Sequence, residues 1–236
     1  MGPTLRGVEL DRAIKRFGPA QVGSIFLAAK SGYKIIGLVD AFFGNVASVW
    51  HKEILYAIEH GCVVCGSSST GALRAAELHA YGMHGIGLCY RLYRAGVITD
   101  DDEVAVLHGD ASTNYVQLSE PLINARITLR KLRRNGFLTV NQEAEIVSRL
   151  KTLHFSNRTL SEYGRKLTTI FGPSEGDRIY RLLKAHYIDV KKKDARQLAS
   201  DLLDSWSSCS NGGVFLRTSN WRHQFEERES ELKPLQ

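Results

Sequence analysis

The chain has 236 residues, 43% hydrophobic and 24% charged, with a formal net charge of +6. That is enough for one sizeable domain with a smaller appendage, at an ordinary globular composition. No run of about 18 apolar residues occurs, which excludes a membrane-spanning helix, and four irregularly spaced cysteines (Cys62, Cys65, Cys89, Cys209) exclude a disulfide framework. The opening "MGPTLRGVELDRAIKRF" holds no apolar signal region, so a cytoplasmic, reducing location is expected.

In chain order, residues 8–17 and 20–31 read as helices. "KIIGLVD" (34–40) is a short β-branched apolar run ending in an acid, which reads as a buried parallel strand. "SVWHKEILYAIEH" (48–60) reads as a helix with Ser48 as N-cap, ended by Gly61. "CVVCG" (62–66) is the next strand and 70–81 the next helix. "GIGLCYRLYRAG" is a further short helix, and "DDDEVAVLHG" leads an acidic turn into a third apolar run. Strand, helix, strand, helix predicts an α/β fold: an open, mostly parallel sheet with crossover helices, Rossmann- or flavodoxin-like. From 119 the pattern turns helical, at 120–135, 141–153, 159–171, 175–186 and 191–206. The expected organisation is therefore an α/β core over 1–118 and a mostly helical region over 119–236, packed on the core and ending in the frayed tail "RHQFEERESELKPLQ".

The charge is uneven. Residues 1–118 carry 10 Lys and Arg against 11 Asp and Glu, leaving 21 basic and 14 acidic residues, or +7, in the rest. "RITLRKLRRNG" and "DVKKKDAR" concentrate it. Such a helix face is ordinarily just solvated. The sharper expectation is that Arg126, Arg130, Lys131, Arg133 and Arg134 dock an acidic surface.

In open parallel sheets ligands bind beyond the C-terminal strand ends. Asp40 closes the first strand there, and Gly66, Ser67, Ser68 and Ser69 close the second. The helix from Thr70 turns its free N–H groups the same way, which suits an anion; a simple structural cap is the plain alternative. G-x-S-x-G does not fit, because Gly66 and Gly71 are five apart, and no Lys follows for a phosphate-binding loop. Arg74 and Glu77 are three apart on one helix face, either an internal ion pair or a reach back to a bound anion. By helical projection Trp50, Ile54, Ala57 and Ile58 face inward. His51 and Glu53 border that face, while Lys52, Tyr56 and Glu59 point out. A histidine leaning toward the strand ends is a candidate base, against the commoner reading of a satisfied core histidine. "HKE…CVVC" imitates a zinc-deaminase pattern without its proline, and Cys62 and Cys65 stand in a strand, so both read as buried structural thiols. "DDDE" (100–103) reads as a solvated turn. No metal and no cofactor are expected.

"SVWHKEILYAIEHG", "GALRAAELHAYGMHGIG" and "DDEVAVLHG" together resemble the TfuA-like family core, from about Pro19 to Arg158, with weaker likeness at "KKKDARQLASDLL". Asp40, Ser48, Trp50, His51, Lys52, Glu53, Ser67, Ser68, Arg74, Glu77 and Glu103 match motif positions. Asp40-Ala41 stands for Asp-Gly, Gly23-Ser24 for Gly-Asp, and Thr70 for Met. Members open with an apolar strand ahead of a "GPSL"-like turn, and "MGPTL" stands at that turn here. The resemblance implies a partner of a YcaO-type ATP-dependent enzyme in backbone thioamidation of ribosomally made peptides. It also implies a supply of sulfide from a thiocarboxylated ubiquitin-like carrier, with the precursor peptide a further candidate partner. On that reading His51, oriented by Asp40 or Glu53, activates water or Ser67 or Ser68. Gly66, Ser69, Arg74, Glu77, Trp50 and Lys52 then hold the anionic group. A non-catalytic adaptor for the YcaO-type enzyme is the alternative. Nucleic acid is not expected as a partner, since aromatic interleaving and a named binding motif are missing.

Overall fold

The computed structural model describes residues 2–42, 44, 46–203, 217–227, 229–232 and 234–235; Cys209 and the end of the helix expected over 191–206 lie outside them. A helix α1 (Ser24–Lys30) leads into strand β1 (Ile35–Leu38), helix α2 (His51–Glu59), strand β2 (Val63–Ser67), helix α3 (Thr70–Leu78), strand β3 (His84–Ile86) and helix α4 (Gly87–Arg94). The strands pair in parallel in the order β1-β2-β3, with Leu38 opposite Gly66 and Ser67 opposite Ile86. Parallel neighbours need a crossover, and α2 and α3 supply it. Longer helices follow among the described residues: α5 (Leu122–Arg134), α6 (Val140–Lys151), α7 (Leu160–Phe171), α8 (Pro173–Ala185) and α9 (Val190–Asp201). The fold is thus mixed α/β, an open parallel sheet and then a helical region.

The chain divides into two compact units, Met1–Ile98 with Lys192–Gln236, and Thr99–Lys191. In the first, alternation of strand side chains builds two cores. Ile36, Leu38 and Val64 pack with Ile54, Ala57 and Ile58 of α2 and with Ala75 and Leu78 of α3. On the other face Val63, Cys65 and Ile86 pack with Ala195 and Leu198 of α9. The odd spacing of Cys62 and Cys65 puts them in opposite cores, and burial pushes the Cys65 thiol up to about 12, so it stays protonated and inert. Where α3 crosses the sheet there is no room for side chains. A Cβ on Gly71 would stand 1.9 Å from the Leu38 carbonyl oxygen, and one on Gly66 would stand 2.1 Å from that of Gly71.

The second unit is a helical cluster around Leu129, Leu132, Ile146, Leu150, Tyr163, Leu167, Ile179 and Leu183, the 3.6-residue stripe of each helix turned inward. Its boundaries follow local chemistry. The Thr139 hydroxyl accepts from the Gln142 N–H at 3.1 Å while the Gln142 side chain accepts from the Thr139 N–H at 2.9 Å, a reciprocal cap that starts α6.

Several expected elements differ. Residues 8–17 form no helix: the Asp11 carboxylate accepts from the Ala13 N–H at 2.8 Å and closes a local turn instead. The helix expected over 20–31 starts only at Ser24, because Ala20 bridges Ala41 beside the sheet. Helix 48–60 starts at His51 with Trp50, not Ser48, as N-cap. The third strand is "HGI", ahead of α4, whereas "DDDE" ends in a 3-10 turn (Asp101–Glu103) and the apolar run after it is irregular chain with Val104, Ala105 and Val106 buried.

Candidate functional site

A cleft of 530 Å³ opens in the first unit between residues 47–52, Arg74 of α3 and Thr218, Asn220 and Trp221 of the C-terminal stretch. His51 is the first residue of α2, and its side chain is 46% exposed. Its Nε2 lies 2.8 Å from Glu77 Oε2. An ionised carboxylate can only accept, so Nε2 carries a proton toward it, and in the neutral ring the lone pair is the one on Nδ1. Nδ1 has no hydrogen-bond partner among the described residues. Arg74 donates from Nη1 to the same Glu77 oxygen at 2.7 Å and from Nε to the Val49 carbonyl at 3.1 Å, fixing α3 to the start of α2. Burial alone would raise the Glu77 pKa, but the bonds and charges of His51 and Arg74 outweigh it and hold the group below the usual carboxylate range. Trp50 meets Phe225 edge to face at 5.5 Å, and Lys52 Nζ donates to Thr218 Oγ1 at 2.8 Å, so both line the cleft with their polar ends near solvent.

The expected single crevice is therefore two places. His51 meets α3 at Glu77, which is about 10 Å along the helix axis from Thr70 at 1.5 Å per residue. The serine turn is at the other end. Asp40 lies two residues beyond β1, whose last residue Leu38 is opposite Gly66. It does not orient His51: its oxygens accept from the Thr4 N–H at 2.9 Å and the Thr4 hydroxyl at 2.6 Å. Ser67, Ser68 and Ser69 are buried, Ser69 being the N-cap of α3. Arg74 does not reach back to them, as its guanidinium is occupied at Val49 and Glu77. Thr4, with Gly2 too close to Asp40 to carry a side chain, completes that corner; nothing in the sequence but the "GPTL" turn signalled it.

Glu53 does not orient His51 either. It is fully buried, and its carboxylate accepts from Ile25 and Phe26 at the start of α1, at 3.0 and 3.4 Å, and from Trp50 at 2.7 Å. One acid thus caps two helices, favourable at their positive ends. Burial nevertheless raises its pKa to about 7, against the lowering effect of those backbone bonds. A pKa raised on folding from 4.5 means that the native state binds the proton more tightly. The associated stability is then full below pH 4.5 and lost as pH rises through 7. We expect the stability difference between the parent and Glu53→Gln to shrink by about 3 kcal/mol from pH 4.5 to pH 8 in urea unfolding. A difference that ignores pH would contradict the raised pKa.

Tyr56, expected to face out, is buried: Trp221 stacks on it at 5.4 Å and Phe26 packs against it at 5.0 Å. The expected basic face is also smaller. Arg126 pairs with Glu103 and Arg133 with Glu143, which leaves Arg130, Lys131 and Arg134 exposed and without ion-pair partners among the described residues. No group of three or more His, Cys, Asp or Glu among the described residues is arranged to hold a metal ion. No described helix is long and apolar enough to cross a membrane.

A family model described as "TfuA-like protein" matches residues 40–159, just over half of the chain. No curated protein matches.

Proposed function

Because the chain belongs to the TfuA-like family, we propose that it works beside a YcaO-type enzyme in peptide backbone thioamidation and supplies sulfide by hydrolysing a thiocarboxylated ubiquitin-like carrier. The observation that carries the chemical part is the His51–Glu77 bond of 2.8 Å on the wall of an open cleft. A carboxylate that fixes the Nε2 proton leaves Nδ1 free to take a proton from water, the arrangement a general base needs. The water oxygen bonds to the thiocarboxylate carbon and the C–S bond breaks, its electron pair leaving with sulfur as hydrosulfide. His51 receives one water proton and returns it to solvent while the other passes to the departing sulfur, so the products are the carboxylate, hydrosulfide and a proton. Lys52 and Arg74 supply positive charge beside the cleft for the thiocarboxylate and the oxyanion that follows it. The test is sulfide release from a thiocarboxylated carrier by the purified chain. Release that requires the chain supports hydrolysis. No release, with thioamide formation by the YcaO-type enzyme still dependent on the chain, supports the adaptor.

The adaptor reading has its own motive in the exposed Arg130, Lys131 and Arg134. On either reading we expect Arg130→Glu with Arg134→Glu to weaken the complex with the YcaO-type enzyme at least tenfold, and added salt to weaken the parent complex similarly. Binding measured by titration calorimetry that ignores both changes would leave these residues a solvated helix face.

A further inference from the structure

We infer that the corner between β2 and α3 is a binding site for a small monovalent anion, held by the hydroxyls of Ser67 and Ser68. Both hydroxyl oxygens are buried and have no hydrogen-bond partner among the described residues. A buried hydroxyl left unpaired costs about 1–3 kcal/mol, a cost that alanine at either position would avoid. Ser68 adds backbone strain, because its φ of +67° suits glycine and not serine. Two consecutive residues therefore keep hydroxyls whose benefit requires a bond to something outside the chain.

The sign and size of that guest follow from the surroundings. Ser67 and Ser68 lie within two residues of Ser69, the N-cap of the nine-residue α3, at the end of the helix that carries positive partial charge. The helix amides are partly committed: the Gly71 N–H donates to the Val39 carbonyl at 3.0 Å and the Ala72 N–H to that of Ser69 at 2.9 Å. The serine hydroxyls are thus the unused donors at this corner. The Asp40 carboxylate, two residues beyond β1, is itself engaged, with both oxygens accepting from Thr4. Ser67 and Ser68 have no exposed surface, and Gly66 and Gly71 bring α3 against the strands without side chains. Full burial excludes a polypeptide end or a nucleotide, so the guest proposed is an ion no larger than a halide or hydrosulfide. That hydrosulfide is the physiological occupant rests on the function proposed above; the anion site itself does not.

Bromide is the probe. In crystals grown with bromide, an anomalous peak is expected within hydrogen-bond distance of the Ser67 or Ser68 hydroxyl. In solution, bromide is expected to raise the Tm of the parent by a few degrees over gluconate at equal ionic strength, and to leave the Ser67→Ala, Ser68→Ala double variant unmoved. In gluconate the double variant is expected to be at least as stable as the parent, since it lacks the unpaired hydroxyls; the single variants serve if the double variant does not fold. Water alone at both hydroxyls, or an equal bromide shift in parent and variants, would overturn the proposal. Displacement of bromide by hydrosulfide at lower concentration than by chloride supports the physiological assignment. A site that holds bromide but does not prefer hydrosulfide stands as an anion site and counts against sulfide as its occupant.

Discussion

Arg158→Ala is expected to lower the stability of the second unit by about 3 kcal/mol, the scale for breaking the hydrogen-bond and ion-pair network of a buried guanidinium. Arg158 is fully buried, and all three guanidinium nitrogens donate: Nε to the Leu153 carbonyl at 3.0 Å, Nη1 to the Asp102 carbonyl at 2.6 Å, and Nη2 to the Asp102 carboxylate at 2.5 Å. Removing it leaves the partly exposed Asp102 carboxylate without its counter-charge and two carbonyls without a donor. Domains are stable by only about 5–15 kcal/mol, so this loss is a large fraction of the whole. Arg158→Lys should recover only part of it, because one ammonium cannot span the three acceptors that the planar fork reaches. Urea unfolding followed by far-UV circular dichroism measures both. A loss below about 1 kcal/mol for Arg158→Ala would mean that this network is relaxed in solution.

His51→Ala is expected to lower the turnover of sulfide release about a hundredfold, the scale for losing a general base, with KM nearly unchanged because the imidazole acts on the transition state more than on bound substrate. Fold stability should change little, since His51 is largely exposed and contributes to neither core. Glu77→Gln should cost less than His51→Ala. A glutamine oxygen still accepts from Nε2 and keeps the tautomer, but it no longer stabilises the imidazolium that forms as water gives up its proton. Lys52→Ala separates binding from chemistry, because a cation that meets the thiocarboxylate should raise KM and spare turnover. Equal falls in turnover for Lys52→Ala and His51→Ala would point to a disturbed cleft instead of a lost base.

Much of the fold was legible because it rests on local period. "KIIGLVD" and "CVVCG" are β-branched runs too short for helices, and they pair in parallel as β1 and β2. Each helix from α5 to α8 starts and stops within about two residues of its expected range, since every one carries its own apolar stripe and α6 and α7 start at capping threonines, Thr139 and Thr159. β3 was not legible: three residues with glycine inside and on one side offer no alternation to read. The site was legible in its residues and in the i, i+3 pair of Arg74 and Glu77, and not in what meets His51. His51, Arg74 and Glu77 were each singled out, but that Glu77 and not Asp40 or Glu53 meets His51 depends on how α2 lies against α3, which no spacing encodes. Tyr56 was misplaced for a similar reason. The helical projection of α2 cannot know that Trp221, far along the chain, covers its outer flank. The i, i+4 pair Trp221 and Phe225 inside a charged stretch was the available signal.

The most direct measurement is the initial rate of sulfide release from a thiocarboxylated ubiquitin-like carrier, compared between the parent and a His51→Ala protein with matching circular dichroism. The account predicts release that depends on the parent chain and falls about a hundredfold in the variant. Release at the parent rate by a properly folded His51→Ala protein would contradict it, and would leave the cleft to a role in binding.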